Sequence, residues 1–472
     1  MEKASVFFKR IMLGVLLAVL ALTLALVVRE GLAARSYLIA LLLGAGWTLA
    51  LYWLLRRAAF PVPGPAGLWA MLLCLAVNLA WVYLVRIEPF SDYAEYWDTA
   101  RALAAGTEIP NAWYIATYPH ILGTATVLSG LIRLFGESVF AVTLVNAALT
   151  TISCGLIWLL TKELLQSERA AFLAALLWAV APCKLMLNSL VFSEPIYTCL
   201  ILLFFWLFLR LENRLRAGSP MAACLLALLG LLLAAVNIVR PIAAILLIAL
   251  ALWLVFLRGA EEKNLRRWAV WLLVLAAMLG LYRGALTLWD GHVEKTLDRR
   301  IASFPWYNVY VGLNEESHGR YTDADMDLLT AYHRQGLDAD ETQKSMIPHI
   351  RERLASGIDW KALLSHKLFD FLGADQIGGY TYRFTRPERF VKLCMVLCNV
   401  FYYGVLLASV GGVWRMLKSR ALSPGLLLPL YFLGLTLAHM LVEVADRYHY
   451  SLIPVLIIIA VLGLTGEERS LL

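Results

Sequence analysis

Runs of about twenty apolar residues recur along this chain, each long enough to cross a hydrocarbon core of about 30 Å. They fall near 6–28, 36–55, 67–86, 137–161, 169–187, 190–210, 220–238, 241–257, 267–288, 391–415, 424–442 and 448–465. Lipid offers backbone N–H and C=O groups no water, so such runs must satisfy their hydrogen bonds internally as helices. The expectation is an all-α polytopic membrane protein with about twelve transmembrane helices. Composition agrees: of 472 residues, 61% are hydrophobic and only 16% charged, far from the balance of soluble domains. The lipid bilayer is therefore a partner. The net charge of +7 is accounted for by Lys and Arg in short loops. No basic stripe is interleaved with stacking aromatics, which excludes nucleic acid.

Those short loops set the orientation. Arg56 and Arg57, Lys162 and Arg169, then Arg210, Arg214 and Arg216 lie on one side, followed by Arg258, Lys263, Arg266 and Arg267, and by Arg415, Lys418 and Arg420. The positive-inside rule makes that side cytoplasmic and places both termini there. The first apolar run has a basic start (Lys3, Lys9, Arg10) but exceeds a signal peptide's core, so it reads as a retained span. All seven cysteines lie in apolar runs, and even Cys394 and Cys398, spaced i, i+4, read as core packing.

This orientation divides the chain into N-terminal spans (1–86), a first outer loop with interfacial helices (87–136), central spans (137–288), a large, mostly helical outer segment (289–390) and C-terminal spans (391–472). In the first loop, 121–135 is apolar but short for a span, which suits an interfacial or re-entrant helix. The second outer segment predicts a helix over 292–303, an aromatic stretch at 305–314 and a polar loop at 315–321. Thr322 with Asp325 three residues on reads as a cap for a helix near 323–335. Helices near 340–356 and 359–372 follow, the last alternating apolar and basic residues as a helix lying along the membrane surface would.

Ionisable residues at span ends are costly and mark function. Lys184, Asn188 and Glu194 flank one outer turn; Arg240 and Pro241 follow Asn237 at the next; Glu443, Asp446, Arg447, Tyr448 and His449 mark the last. Together with Asp92, Glu95, Tyr96 and Asp98 in the first outer loop and the 305–321 stretch, they describe one polar chamber at the outer leaflet.

At these residues the chain resembles the C-type superfamily of polyprenyl-phosphate-sugar-dependent glycosyltransferases, in particular the bacterial branch related to protein O-mannosyltransferases and lipid A aminoarabinose transferases. The resemblance rests on Asp92-x3-Tyr96-x3-Ala100 ending in Gly106, on Tyr118-Pro119 with Leu134-Phe135-Gly136, on Ser193-Glu194-Pro195 with Arg240-Pro241, and on Arg447-Tyr448 followed by Pro454. It spans most of 87–260 and 390–465 and leaves 289–390 uninterpreted. Relatives often carry two adjacent acids in the first loop; here Tyr93 follows Asp92. The resemblance implies a polyprenyl-phosphate-linked sugar donor, a cell-envelope hydroxyl acceptor (glycolipid, polysaccharide or protein), inversion at the anomeric carbon and an extracytoplasmic site in a bacterial inner membrane.

Such chemistry needs a base for the acceptor hydroxyl and cations for the leaving phosphate. Asp92 is the expected base, with Glu95 and Asp98 as runners-up; Glu95, at i, i+3 from Asp92, is placed either to hydrogen-bond the sugar or to orient Asp92. Arg240 is the first choice for phosphate, because a guanidinium fork matches phosphate oxygens; Lys184, Arg320 and Arg447 are further candidates. Glu194 is expected to bind a sugar hydroxyl or to hold Arg240, and Tyr96, Tyr321 and Tyr448 join the substrate-binding set. Arg447 also reads as an ion-pair partner for Glu443 or Asp446. His318 reads as solvent-exposed. No cofactor is firmly predicted: Glu443, Asp446 and His449 share a helical face that could hold a divalent cation, but with Arg447 in the same turn a charge-compensated network is the preferred reading. The rival is a lipid or lipid-linked sugar transporter, which would carry polar groups at the bilayer midplane and inverted repeats.

Overall fold

The computed structural model describes residues 2–57, 62, 64–258, 265–384 and 387–466. Lys263, one of the loop cations expected to set orientation, lies outside them. Every regular element among the described residues is helical. Among the described residues nine helices are long and apolar enough to cross a membrane. A tenth span arises if the pair Glu168–Val180 and Pro182–Asn188, bent by 50°, counts as one. The two remaining expected spans, 241–257 and 448–465, are short apolar helices, Ala243–Arg258 and Tyr450–Thr465. The expectation of about twelve therefore becomes nine or ten of spanning length. The difference lies in helices that begin late, after the turns carrying Arg240 and Arg447.

The helices run in order α1 (Glu2–Ala33), α2 (Arg35–Arg57) and α3 (Ala66–Leu84), then the first outer loop with α4 (Asp92–Ala105), α5 (Ala112–Thr117) and α6 (His120–Phe135). Next come α7 (Val139–Leu165), α8 (Glu168–Val180), α9 (Pro182–Asn188), α10 (Glu194–Arg216), α11 (Met221–Val239), α12 (Ala243–Leu252) and α13 (Leu265–Leu297). Four short helices follow: α14 (Trp306–Gly312) and α15 (Asp323–Arg334), α16 (Ala339–Lys344) and α17 (Met346–Ala355). The chain then returns through α18 (Trp360–Leu368) to α19 (Glu388–Lys418), α20 (Leu427–Leu441) and α21 (Leu452–Thr465).

Local chemistry explains the boundaries. Ser138 and Ser167 cap α7 and α8 by accepting from the third residue's N–H. Thr322 caps α15 as its sequence predicts, accepting from the Asp325 N–H at 3.1 Å. Asp338 and Glu341 form a reciprocal capping box that starts α16. The helix expected at 340–356 is thereby split into two at Ser345. The helix expected at 292–303 is instead the end of α13. With 33 residues, α13 is about 50 Å long at about 1.5 Å per residue and projects well beyond the hydrocarbon.

The outer segment has its own small core of Tyr307, Tyr310, Val311, Leu313, Leu329, Met346 and Ile350. Arg353 holds it together, paired with Asp325 at 2.6 Å and lying on the Tyr310 ring. This unit docks on the C-terminal spans where α14 ends. At Gly312 a side chain would meet the Leu441 carbonyl at 2.5 Å, so only glycine allows the approach. The fully buried Lys367 locks the seam, its Nζ donating to the carbonyls of Gly312 (2.7 Å) and Val442 (2.8 Å).

Burial pulls the Lys367 ammonium down from 10.5 to about 7, and a neutral amine still has the two donors that these carbonyls need. Between those two values the unfolded chain binds the extra proton, so stability of the seam rises with pH over that window. The expected result is slower proteolysis of the outer segment at pH 9 than at pH 7. Lys367→Met should remove that difference and expose the segment at both pH values, because two buried carbonyls lose their partners at about 1–3 kcal/mol.

The opposite end of the bundle collects the loop cations. Lys9 Nζ donates to the carbonyls of Ser419 and Ala421, Arg169 to that of Leu55, and Arg210 pairs with Glu163. The basic connections thus share one end, and the acids and aromatics of the two outer loops share the other.

Candidate functional site

At that second end, the first outer loop, the α11–α12 turn, the outer segment and the α20–α21 turn enclose a chamber of about 1070 Å3. Of the ten candidate residues, Asp92, Tyr96, Arg240, Arg320, Tyr321, Arg447 and Tyr448 line it.

Asp92 opens α4, directly after Ser91, whose φ of 50° is unusual for a residue with a side chain. This turn aims the Asp92 carboxylate across the chamber at Arg447, and the two pair at 2.6 Å. Arg447, read equally as a phosphate cation and as a partner for Glu443 or Asp446, is paired with Asp92. Its guanidinium sits among rings, 5.8 Å from the Tyr93 centre, 5.7 Å from Phe192 and 5.4 Å from Tyr448, and Nη1 reaches the Tyr380 hydroxyl at 3.4 Å. Its Nε is buried without a hydrogen-bond partner among the described residues.

Arg240 follows α11, which α6 approaches closely at Gly123, where a Cβ would meet the Ile238 carbonyl at 2.1 Å. Its guanidinium lies 4.6 Å from the centre of the same Tyr448 ring. Among the described residues no hydrogen-bonded acceptor faces it. Two guanidiniums thus converge on one aromatic ring, each with donor capacity to spare. Two like charges so placed attract an anion, and the planar forks suit phosphate.

The acids divide by environment. Asp92 keeps 45% of its side chain exposed. Glu443, expected at the outer polar turn, lines the chamber too; it accepts from Asn308 Nδ2 at 2.9 Å and from the Tyr448 hydroxyl at 3.4 Å. Burial raises its carboxyl above the usual range, Arg447 and Arg240 opposing that rise. Asp446 is likewise raised by burial and drawn back by Arg447 and Arg320.

The remaining candidates lie elsewhere or are engaged. Glu95 does not line the chamber; its carboxylate accepts from Asn111 Nδ2 at 3.2 Å, and Asn111 does line it. Glu194 is fully buried at the start of α10, accepts from Ser193 Oγ at 3.1 Å and keeps Oε1 unpartnered among the described residues. Lys184 is fully buried in a polar knot between α3, α7 and α9: its Nζ donates to Asn78 Oδ1 at 2.9 Å, Asn188 donates to the same oxygen at 3.1 Å, and Thr150 donates to Asn188 at 2.8 Å. The 50° bend after α8 turns Lys184 into this knot and away from the chamber. Arg320 is committed to Asp370, held through Nε at 2.7 Å and a second contact from Nη2. The Tyr321 hydroxyl donates to Asp323 at 3.2 Å. His318 stacks on His366 with ring centres 3.9 Å apart. Among the described residues no group of three or more His, Cys, Asp or Glu side chains could hold a metal ion.

Residues 120–283 match the family model described as dolichyl-phosphate-mannose-protein mannosyltransferase, so over that part of its length the chain is similar to this family. The matched part includes Lys184, Glu194 and Arg240 and stops short of Asp92 and Arg447 on either side. No curated protein matches the chain. The architecture is that of an all-α polytopic membrane protein.

Proposed function

We propose that the chain transfers a sugar from a polyprenyl-phosphate donor to a cell-envelope hydroxyl, by inverting displacement at the chamber described above. The observation that carries this reading is the pairing of one carboxylate, Asp92, with a guanidinium pair around Tyr448 whose donors are not all used. The acceptor hydroxyl gives its proton to Asp92 as its oxygen bonds the anomeric carbon. The carbon–oxygen bond to phosphate breaks, and the lipid phosphate leaves as an anion facing Arg240 and Arg447. Proton and leaving group end on different residues, so the charges that develop are both met. Arg447 contacts Asp92 and has its Nε free, which lets one side chain orient the base and face the phosphate. Glu194, fully buried at the start of α10 with Oε1 unpartnered among the described residues, is the carboxyl we assign to Arg240.

The basic loops at the opposite end support a cytoplasmic placement of both termini, with the chamber on the extracytoplasmic side of a bacterial inner membrane. The test supplies protein in lipid nanodiscs with a polyprenyl-phosphate-linked sugar and an envelope extract as acceptor. Released lipid phosphate and an inverted anomeric linkage are expected. Labelled lipid crossing proteoliposomes with no donor consumed would instead identify a transporter.

A further inference from the structure

The chamber is larger than one sugar phosphate requires, lying at the top of the range of about 300–1,000 Å3 for ligand pockets, and its two halves differ. The arginines and acids occupy the half formed by the span ends. The other half is built from α5 and the outer segment, and it is aromatic. Trp113 stacks on His333 with centres 4.1 Å apart, Tyr114 packs against Tyr118 at 4.9 Å, and Tyr118 meets Tyr307 edge-on at 6.5 Å. At the rim stands Tyr321, 49% exposed, its hydroxyl tethered to Asp323.

Three polar atoms in this half are buried without a hydrogen-bond partner among the described residues: Trp113 Nε1, His333 Nδ1 and Tyr307 Oη. Tyr307 is only 1% exposed, and its backbone N–H is anchored by Gln343 at 2.7 Å, so the orphan hydroxyl is held in place. Buried polar atoms without partners are destabilising unless a bound group completes them.

We infer that this aromatic half is the acceptor subsite and that the acceptor presents a carbohydrate; the inference rests on the glycosyl-transfer reading above. Pyranose rings carry weakly positive C–H edges that pack on the negative faces of aromatic rings, and hydroxyls around their rims that pair with scattered single donors and acceptors. A phenol, an indole N–H and an imidazole, set between rings, match that pattern. A peptide bound by strand addition would need a sheet edge, and the described residues contain no strand; a peptide held in another way is separated by the test. A lipid acceptor's acyl chains would call for an apolar wall, whereas Asn111, Asn308 and Thr330 interrupt this one. Because α5 and α15 lie outside the spans, the acceptor enters from the aqueous side.

The test measures two things on the purified protein in nanodiscs: binding of undecaprenyl phosphate, and saturation-transfer NMR with soluble mannotriose, methyl glycosides and a Ser/Thr-rich peptide. Expected are pyranose signals, no peptide signal, and glycan binding weakened about three- to tenfold by Tyr321→Ala and by Trp113→Phe, which keeps an aromatic face while removing the indole N–H with its pyrrole ring. Undecaprenyl phosphate binding with no glycan signal, or a signal from the peptide alone, overturns the carbohydrate assignment and leaves the donor reading standing. Glycan binding unmoved by either variant overturns the location. Failure to bind undecaprenyl phosphate removes the donor reading and this inference with it.

Discussion

Asp92→Asn should lower sugar transfer by about 10²- to 10⁴-fold, the range for losing a positioned general base, and leave the fold and donor binding close to unchanged. The side chain is 45% exposed at the first turn of α4, so the amide keeps the shape and an acceptor oxygen for Arg447. What it loses is the ability to take a proton. The comparison that gives the experiment its force is Glu95→Gln. Glu95 reaches the chamber only through Asn111, so its loss should cost about tenfold or less, in line with a single charged hydrogen bond of about 1.5 kcal/mol. Single-turnover kinetics with a polyprenyl-phosphate sugar separates the two. Full activity in Asp92→Asn would remove Asp92 as the base and turn attention to Glu443, a second carboxylate lining the chamber.

Much of the fold was legible because lipid imposes a simple rule on sequence: apolar runs of spanning length become helices. The rule says less about where a helix starts once a polar turn intervenes, which is why the segments after Arg240 and Arg447 come out short. Within the site, the residues that could be placed were those at outer span ends, where depth follows from hydropathy. Their partners could not be read. Arg447 and Asp92 are separated by 355 positions, and nothing local distinguishes that pairing from the nearer Glu443 or Asp446. Arg320 and Lys184 illustrate the same limit. The first is engaged by Asp370 from a later helix, and the second is turned inward by a bend that Pro182 permits but does not require. Glu443 carried a signal, an acid at an outer turn, that also fitted a charge network. The Trp113–His333 stack had none, since it joins two loops that the sequence leaves unrelated.

Arg240→Gln is expected to weaken donor binding by about 10- to 100-fold, as loss of one or two charge-assisted hydrogen bonds of about 1.5–3 kcal/mol each would do. Arg447→Gln should cost more, because the same side chain orients Asp92. It is expected to lower kcat as well as affinity, whereas Arg240→Gln acts mainly through KM. Removing Arg447 leaves Asp92, Glu443 and Asp446 with one cation fewer, and removing Arg240 takes a cation from Glu443 and from the buried Glu194, so both variants should lower the thermal midpoint. The pair is best read as a double-mutant cycle on undecaprenyl phosphate binding. If both guanidiniums grip one phosphate across Tyr448, the double variant loses less than the sum of the two singles, since a phosphate already released on one side gains little from the other. Strict additivity would mean that the two arginines serve separate groups, one on the phosphate and one only on Asp92.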